Sequence, residues 1–298
     1  MRDGSPTGLF VGLATLDVVH RVERLPSPNE KVTARQQALA AGGPAANAAV
    51  TFSALGGKAV LVTALGPSLV AQVIRDELKS TGVSVVDIAP SWAAAAPVSS
   101  VMVTDDTGDR AVVGGDATGT MLPPVGVEEL VPLLDDVDVV LIDGHHKPIA
   151  TAIGTLARDR RIPVVIDAGR WKPAMTEVIP HGTDVVTSSD FRTPGAPDSA
   201  STAAELSRMG VPIVVTTAGA DPVRWRRGEE SGVVEMVRIE AVDTLGAGDV
   251  FHGAYAFGLA IGLSLEERIR YAGQVAATRC RHVGPRSWLY AIAEIPVR

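Results

Sequence analysis

The segment Asp243-Thr244-Leu245-Gly246-Ala247-Gly248-Asp249 runs directly into residues 250–261, a stretch rich in Ala, Leu and Phe. The apolar stretch predicts a helix, and residues 237–242 before the segment read as a strand. Two glycines around one alanine let the backbone turn tightly and aim successive N–H groups at one point. That point is also a helix N-terminus, where unsatisfied N–H groups and the peptide dipoles favour an anion. The segment therefore reads as a strand–turn–helix that handles a phosphate. Asp249 falls in the first helical turn. Its carboxylate can cap the helix, or it can accept a proton from a hydroxyl that attacks the anion. Asp243, at the strand end, can order the turn by accepting backbone N–H groups or can ligate a cation. Spacing leaves both open.

A second turn of the same kind lies far upstream. Gly42-Gly43-Pro44-Ala45-Ala46-Asn47-Ala48-Ala49 opens a helix that ends near Leu55, with Gly56 and Gly57 at its C-terminus. Pro44 suits the first helical position. Asn47 is unusual among the alanines. It either closes the preceding loop through a hydrogen bond or meets a polar ligand lying over the Gly-Gly turn, where missing side chains permit close approach.

Around these turns, the apolar runs 9–13, 59–63, 83–88, 138–142, 163–166, 184–186 and 212–216 read as buried strands. Residues 69–78, 149–156, 203–209 and 265–277 carry helical apolar spacing. Such alternation predicts an α/β fold with a mostly parallel sheet covered on both faces, which binds ligands at the carboxyl ends of its strands. Three segments break the pattern. Residues 31–39 alternate polar and apolar without a following helix. Residues 98–103 and 110–113 flank Asp105-Asp106-Thr107-Gly108-Asp109, a hairpin turn signal. Together they predict a small antiparallel sheet apart from the main one. Residues 223–227 and 232–239 read as a further hairpin, and the alanine-rich residues 91–97 as a flexible junction.

Composition narrows the function classes. The chain has 298 residues, a length that fits two average domains or one large α/β domain. With 46% hydrophobic and 20% charged residues it is an ordinary globular chain, not a disordered one. A net charge of −7 lacks the electrostatic footprint of a nucleic-acid binder. The longest apolar runs fall well short of the ~18 residues of a spanning helix, so no membrane partner is expected. Residues 1–7 read as a frayed leader rather than a signal peptide. The single cysteine, Cys280, forms no intrachain disulfide, which fits a reducing cytosol. It reads as a small buried hydrophobe.

Taken together, Gly42-Gly43-x-x-x-Asn47 followed by Leu55-Gly56, and Asp243-Thr244-x-Gly246-Ala247-Gly248-Asp249, resemble the two signatures of the ribokinase-like (PfkB-type) carbohydrate kinases. Leu16-Asp17 through Leu25-Pro26, and Thr217-Ala218-Gly219-Ala220-Asp221, are similar to further parts of that family, so the resemblance covers nearly the whole chain. It implies a single kinase domain over residues 1–298, with a three-layer α/β core and a small β lid from about 31–40 and 98–114. It implies transfer of the γ-phosphoryl of ATP to a sugar hydroxyl, with Asp249 as base and the amides of Gly246, Ala247 and Gly248 as anion hole. Asp17, Gly43, Asn47 and Arg110 would bind the sugar. Thr217, Gly219, Gly248 and Gly273 would line the nucleotide site. Asp243 would lie by a monovalent cation such as K+, Mg2+ would accompany ATP, and the lid would form a homodimer interface.

The sequence departs from the family in three places. Thr187-Ser188-Ser189-Asp190-Phe191 stands where an Asn-x-x-Glu motif often lies near the metal and phosphates, although ketohexokinases also place a serine there. Pro222 replaces a usual glycine, and Pro44 replaces a polar residue that touches the sugar. Pro44-Ala45-Ala46, residues 249–253 and Cys280-Arg281 look most like a bacterial subgroup that includes sulfofructose kinases. That resemblance implies a ketose or ketose-like acceptor and makes Lys31, Arg110, His145, His146, Lys147 and Arg170 candidate partners for an anionic group. Adjacent His145 and His146 should point apart at a strand end, against a metal pair. Trp171 and Trp225 read as packing residues, and Arg224, Arg226 and Arg227 as a solvated sheet edge. No P-loop and no dinucleotide-binding glycine fingerprint is present. A non-catalytic sugar- or nucleotide-binding protein and a nucleoside kinase of the same fold are the competing expectations. The intact Asp249 and Gly246–Gly248 segment weighs against the first, and a 4% aromatic content against the second.

Overall fold

The structure, a computed structural model, describes residues 4–92, 96–105, 107–115, 122 and 124–297. Residues 1–3 of the leader, 93–95 of the alanine-rich junction and Asp106 of the hairpin turn lie outside the described residues. In chain order the strands are β1 (Thr7–Val11), β2 (Thr15–Val22), β3 (Gln36–Gly42), β4 (Lys58–Thr63), β5 (Val83–Asp87), β6 (Val98–Thr104), β7 (Arg110–Gly114), β8 (Val139–Ile142), β9 (Val164–Ala168), β10 (Asp184–Ser188), β11 (Ile213–Ala218), β12 (Asp221–Arg227) and β13 (Glu230–Val234). One sheet runs β13-β12-β11-β10-β9-β8-β1-β4-β5, and a second runs β3-β2-β6-β7. From β5 across to β11 the large sheet is parallel, and β12 and β13 add an antiparallel hairpin at its edge.

The strands are apolar on consecutive residues because each face of the sheet packs on helices. In β1, Phe10 enters one core, and Leu9 and Val11 enter the other. The first core is built on the helices Pro44–Ala54, Ala247–Ala260 and Leu265–Cys280. Within it Phe52 meets Phe10 and Phe257 edge-on, at centroid distances of 5.3 and 5.4 Å. The two helices that begin at glycine turns pack backbone to backbone, since a Cβ on Gly253 would stand 2.4 Å from the Ala48 carbonyl oxygen. The second core takes its apolar faces from Lys147–Asp159 and Ser199–Arg208. Among the described residues no helix is long and apolar enough to cross a membrane.

Several expectations shift. The small sheet is mixed, because β2, absent from the expected lid, lies at its centre and pairs parallel with β6. β3 begins only at Gln36, where its register with β2 starts at Arg21↔Gln36, so residues 31–35 join no ladder. Residues 237–242 form no strand: the N–H groups of Val242 and Asp243 go to the Cys280 carbonyl, at 2.8 and 3.3 Å, instead of to a neighbouring strand. β13 therefore stops at Val234. Arg224, Arg226 and Arg227 sit on β12, which is an inner strand, and β13 forms the edge.

Candidate active site

Both glycine turns lie at the carboxyl ends of the parallel strands. In the first, Gly43 has φ +96°, and a Cβ there would lie 2.4 Å from the Leu13 carbonyl oxygen. At Gly42 a Cβ would meet the Asp17 carboxylate at 2.0 Å, so this glycine makes room for Asp17. Asp17 accepts the Thr15 hydroxyl at 2.7 Å, and burial pushes its carboxyl upward. The turn is braced from below by Asp143, which follows β8 and is fully buried. Asp143 accepts the N–H groups of Leu13 (2.9 Å), Ala45 (3.2 Å) and His145 (2.9 Å), and faces the His145 Nδ1 at 2.9 Å. Burial alone would raise this carboxyl. The His145 ring, its N–H groups and the Lys172 ammonium outweigh that and hold it well below the usual carboxylate range.

In the second turn Gly246 takes φ +71° as N-cap of the Ala247–Ala260 helix. The Ala247 N–H is bonded to the Thr244 carbonyl at 3.2 Å. The N–H groups of Gly248 and Asp249 meet no acceptor among the described residues, and the space beside Gly248 is open. Asp249 does not cap the helix. Its Oδ2 accepts the Asn47 Nδ2 at 2.8 Å, which joins the two turns. Burial, and then the charge of Asp167, push Asp249 up to about 6 despite that hydrogen bond. Asp167, on β9, stands 3.5 Å from the His252 ring, which is anchored to the carbonyls of Gly248 (2.7 Å) and Val186 (3.2 Å).

Asp243 resolves toward turn ordering. It accepts Leu245 N–H (3.0 Å) and Gly284 N–H (2.9 Å) and pairs with buried Arg279 at 3.1 Å. These three partners hold the carboxylate in the turn, and among the described residues no group of three or more His, Cys, Asp or Glu side chains could hold a metal ion. The departure at residues 187–191 is also a closed turn. Ser188 Oγ donates to the Gly169 carbonyl at 2.7 Å and accepts the N–H groups of Asp190 (3.2 Å) and Phe191 (3.1 Å).

The small sheet is docked onto the second turn. Arg110 reaches the Thr244 hydroxyl at 3.3 Å, Thr244 Oγ1 donates to the Gly108 carbonyl at 3.2 Å, and Leu245 packs against Val19, Val101 and Val103. Between sheet and core lies a cavity of about 590 Å³. Asp17, Gly43, Asn47, Arg110, Thr217, Gly246, Gly248 and Asp249 line it together. Ala247, Gly219, Asp243 and Gly273 do not. Gly273 is covered by Met236, whose sulfur would lie 2.5 Å from a Cβ placed there, and its neighbours Tyr271 and Gln274 face a separate groove of about 520 Å³.

Of the candidate anion partners, Arg110, His145 and Arg170 line the cavity, and Lys31, His146 and Lys147 do not. His146 is buried, which pushes its ring down to about 4, and it receives the Ala64 N–H at 3.4 Å; Lys147 pairs with Glu177 at the surface. The two histidines do point to different partners. Trp171 packs against Phe191 at 5.8 Å. Sequence reasoning missed Asp143, Asp167, Lys172 and Arg286. The two acids each directly follow an apolar run, at a strand's carboxyl end, and that signal was readable. Arg286 has no local signal, because its partners come from three distant segments.

A polar cavity, a buried carboxylate with a raised pKa and an open helix N-terminus thus meet under a small sheet. The pfkB family carbohydrate kinase profile matches residues 8–290. The chain belongs to this family. It is 24% identical over 268 residues to the ribokinase of Bacillus subtilis, covering 90% of each chain. It is 24% identical over 290 residues to the ketohexokinase of Mus musculus, covering 91% of this chain and 95% of that one. The structure of Arabidopsis thaliana ribokinase complexed with ribose and ATP superposes with a TM-score of 0.76 at 21% identity, over 98% of this chain and all of that one, and so shows the same fold. As a pfkB carbohydrate kinase, the chain carries both of its glycine turns at one cavity.

Proposed function

We propose that this carbohydrate kinase transfers the γ-phosphoryl of ATP to a sugar hydroxyl, with Asp249 as general base and the amides of the 246–249 turn as the anion hole; Gly248 and Asp249 lead there, because the expected Ala247 N–H is spent on the Thr244 carbonyl. The observation that carries this reading is Asp249 itself: a buried carboxylate, raised to about 6 and held by Asn47 at 2.8 Å, beside two helix N-terminal N–H groups that meet no acceptor among the described residues. Asp249 Oδ1 is left to take the hydroxyl proton as the new O–P bond forms, and the free amides hold the migrating charge. Asp17, Gly43, Asn47 and Arg110 hold the sugar. Thr217 and Gly248 face the nucleotide with Gly219 flanking them, and Gly273 joins only when Met236 leaves it. The docked small sheet excludes water that would otherwise hydrolyse ATP.

Mg2+ neutralises phosphate charge when it is bound with ATP. Asp190 suits it: it lines the cavity on the Ser188 turn, and its carboxylate has no hydrogen-bond partner among the described residues. Mg2+ typically takes one or two carboxylates with phosphate oxygens and water. The intact base and open amides favour catalysis over simple binding. No Phe, Tyr or Trp side chain lines the cavity among the described residues, which favours a sugar over a nucleoside. A ketose or ketose-like acceptor rests on the subgroup resemblance of residues 44–46 and 249–253. Exposed Leu39 and Val113, which share the face of the small sheet turned away from the cavity, support pairing with a second copy, which sedimentation tests.

The test is ADP release from ATP and Mg2+ across fructose, sulfofructose, fructose phosphates, tagatose, ribose, 2-keto-3-deoxygluconate, inositol and nucleosides. Turnover with a sugar, strongest for a ketose, is expected. No ADP above the sugar-free rate, with ATP still bound, overturns the reading.

A further inference from the structure

Asn47 Oδ1 accepts a hydrogen bond from Arg286 Nη1 at 3.2 Å, on the side away from Asp249. Arg286 comes from the segment after the Leu265–Cys280 helix and does not line the cavity. Its guanidinium is fixed on all sides. Nε donates to Glu77 Oε1 at 2.7 Å, Nη2 to the Ala41 carbonyl at 2.5 Å and Nη1 also to the Pro285 carbonyl at 3.2 Å. Glu77, on the Leu69–Ser80 helix, returns to accept the Ala41 N–H at 3.3 Å.

We propose that Arg286 is a positioning residue for phosphoryl transfer: it fixes which way round the Asn47 amide sits, so that the NH2 end and not the carbonyl end faces Asp249. An amide side chain presents two donors at one end and an acceptor at the other, and a half-turn exchanges them. Guanidinium has donors only, so it can donate only to the carbonyl end of Asn47. Flipping the amide would set donors against donors at Arg286 and lone pairs against a carboxylate at Asp249. The orientation matters because an N–H donated to Asp249 Oδ2 favours its ionised form and leaves Oδ1 for the substrate. The inference rests on Asp249 being the base.

Other charges also face Asp249: Asp167 from β9, Arg110 from β7 and His252 from its own helix. Near Arg286 stand Glu77 and Asp17, and the Arg286 charge favours ionised Asp17. Loss of Arg286 therefore moves both Asp17 and Asp249 toward higher pH, and a site-resolved readout is needed to separate them.

The experiment compares wild type, Arg286→Met, Arg286→Lys and the double variant carrying Arg286→Met and Asn47→Ala by carbon NMR titration of labelled Asp carboxyls, with the Asp249 signal assigned from Asp249→Asn. The pH profile of kcat/KM is measured alongside. In Arg286→Met the Asp249 midpoint moves alkaline, and kcat/KM falls about tenfold near pH 6 but much less at pH 8.5. Arg286→Lys, which keeps one donor, recovers part of the shift. Adding Asn47→Ala to Arg286→Met moves the midpoint no further. An unmoved Asp249 midpoint in both arginine variants overturns the inference, as does an equal loss of kcat/KM at every pH. The titration needs no turnover, so if no sugar is phosphorylated the functional reading fails while the role of Arg286 is still decided.

Discussion

The two glycine turns begin alike and end in opposite states. At residues 42–47 the helix N-terminus is filled from inside at its first N–H: that of Ala45 goes to Asp143, and a Cβ on Gly43 would strike the Leu13 carbonyl. At residues 246–249 it is left open: Gly248 has nothing within 4 Å of where a Cβ would stand, and its N–H and that of Asp249 have no acceptor among the described residues. A buried carboxylate takes the anion's place in the first turn, and the second waits for an anion from outside. The same local sequence device thus serves as a brace in one place and as a phosphate seat in the other. What separates them is whether another strand end brings a carboxylate beneath the turn.

Asp143→Ala breaks the comparison most severely. It strands four N–H donors and removes the negative charge near the Lys172 ammonium, whose hydrogen bond to the Asp143 main-chain carbonyl remains, and should cost about 3–5 kcal/mol in urea unfolding. Next is the matched pair Gly43→Ala and Gly248→Ala. The first meets positive φ and a backbone clash, and should lose about 2–4 kcal/mol with its turnover. The second should stay within about 1 kcal/mol of wild type in unfolding, because alanine suits the first helical turn. Its turnover should nevertheless fall about tenfold or more, because its methyl stands where the phosphate must lie. If both alanines act alike on stability, the turns are not different in the way described.

Asp249 sharpens the contrast through pH. Its native carboxyl is raised to about 6 from a usual value of 3.8. The native state therefore binds its proton more tightly than the unfolded chain does, and ionising it costs stability increasingly from pH 3.8 to about 6 and fully above. Asp249→Asn removes that cost. The variant should unfold about 2 kcal/mol later than wild type at pH 8, with the advantage gone below pH 4. The acid limb of wild-type kcat/KM should fall near pH 6, where Asp249 loses its capacity as base.

Much of the fold was legible because its signals are local. The apolar runs at β1, β4, β8, β9 and β10 and the helices behind them follow from periodicity, and Gly42-Gly43 and Gly246-Ala247-Gly248 mark the site through conformational need. β2 was harder to place, since Leu16-Asp17 reads as a continuation of β1, and only pairing with β3 and β6 puts it in the small sheet. Residues 237–242 look like a strand, but no neighbouring strand takes their N–H groups. Asp243 carries the same limit: its spacing allowed a cation or a turn, and Arg279, thirty-six residues away, decides for the turn. Asp143 and Arg286 are tertiary in origin, because each binds groups from three or more segments that only the folded chain brings together.

The central claim is that the open turn and its carboxylate perform the transfer. It is tested most directly by measuring turnover and ATP affinity on the same preparation of Asp249→Asn, with the sugar that wild type phosphorylates fastest. The account predicts a loss of about 10²–10⁴ in kcat with ATP bound as tightly as before. Turnover within about tenfold of wild type, or ATP affinity lost in step with turnover, would contradict it.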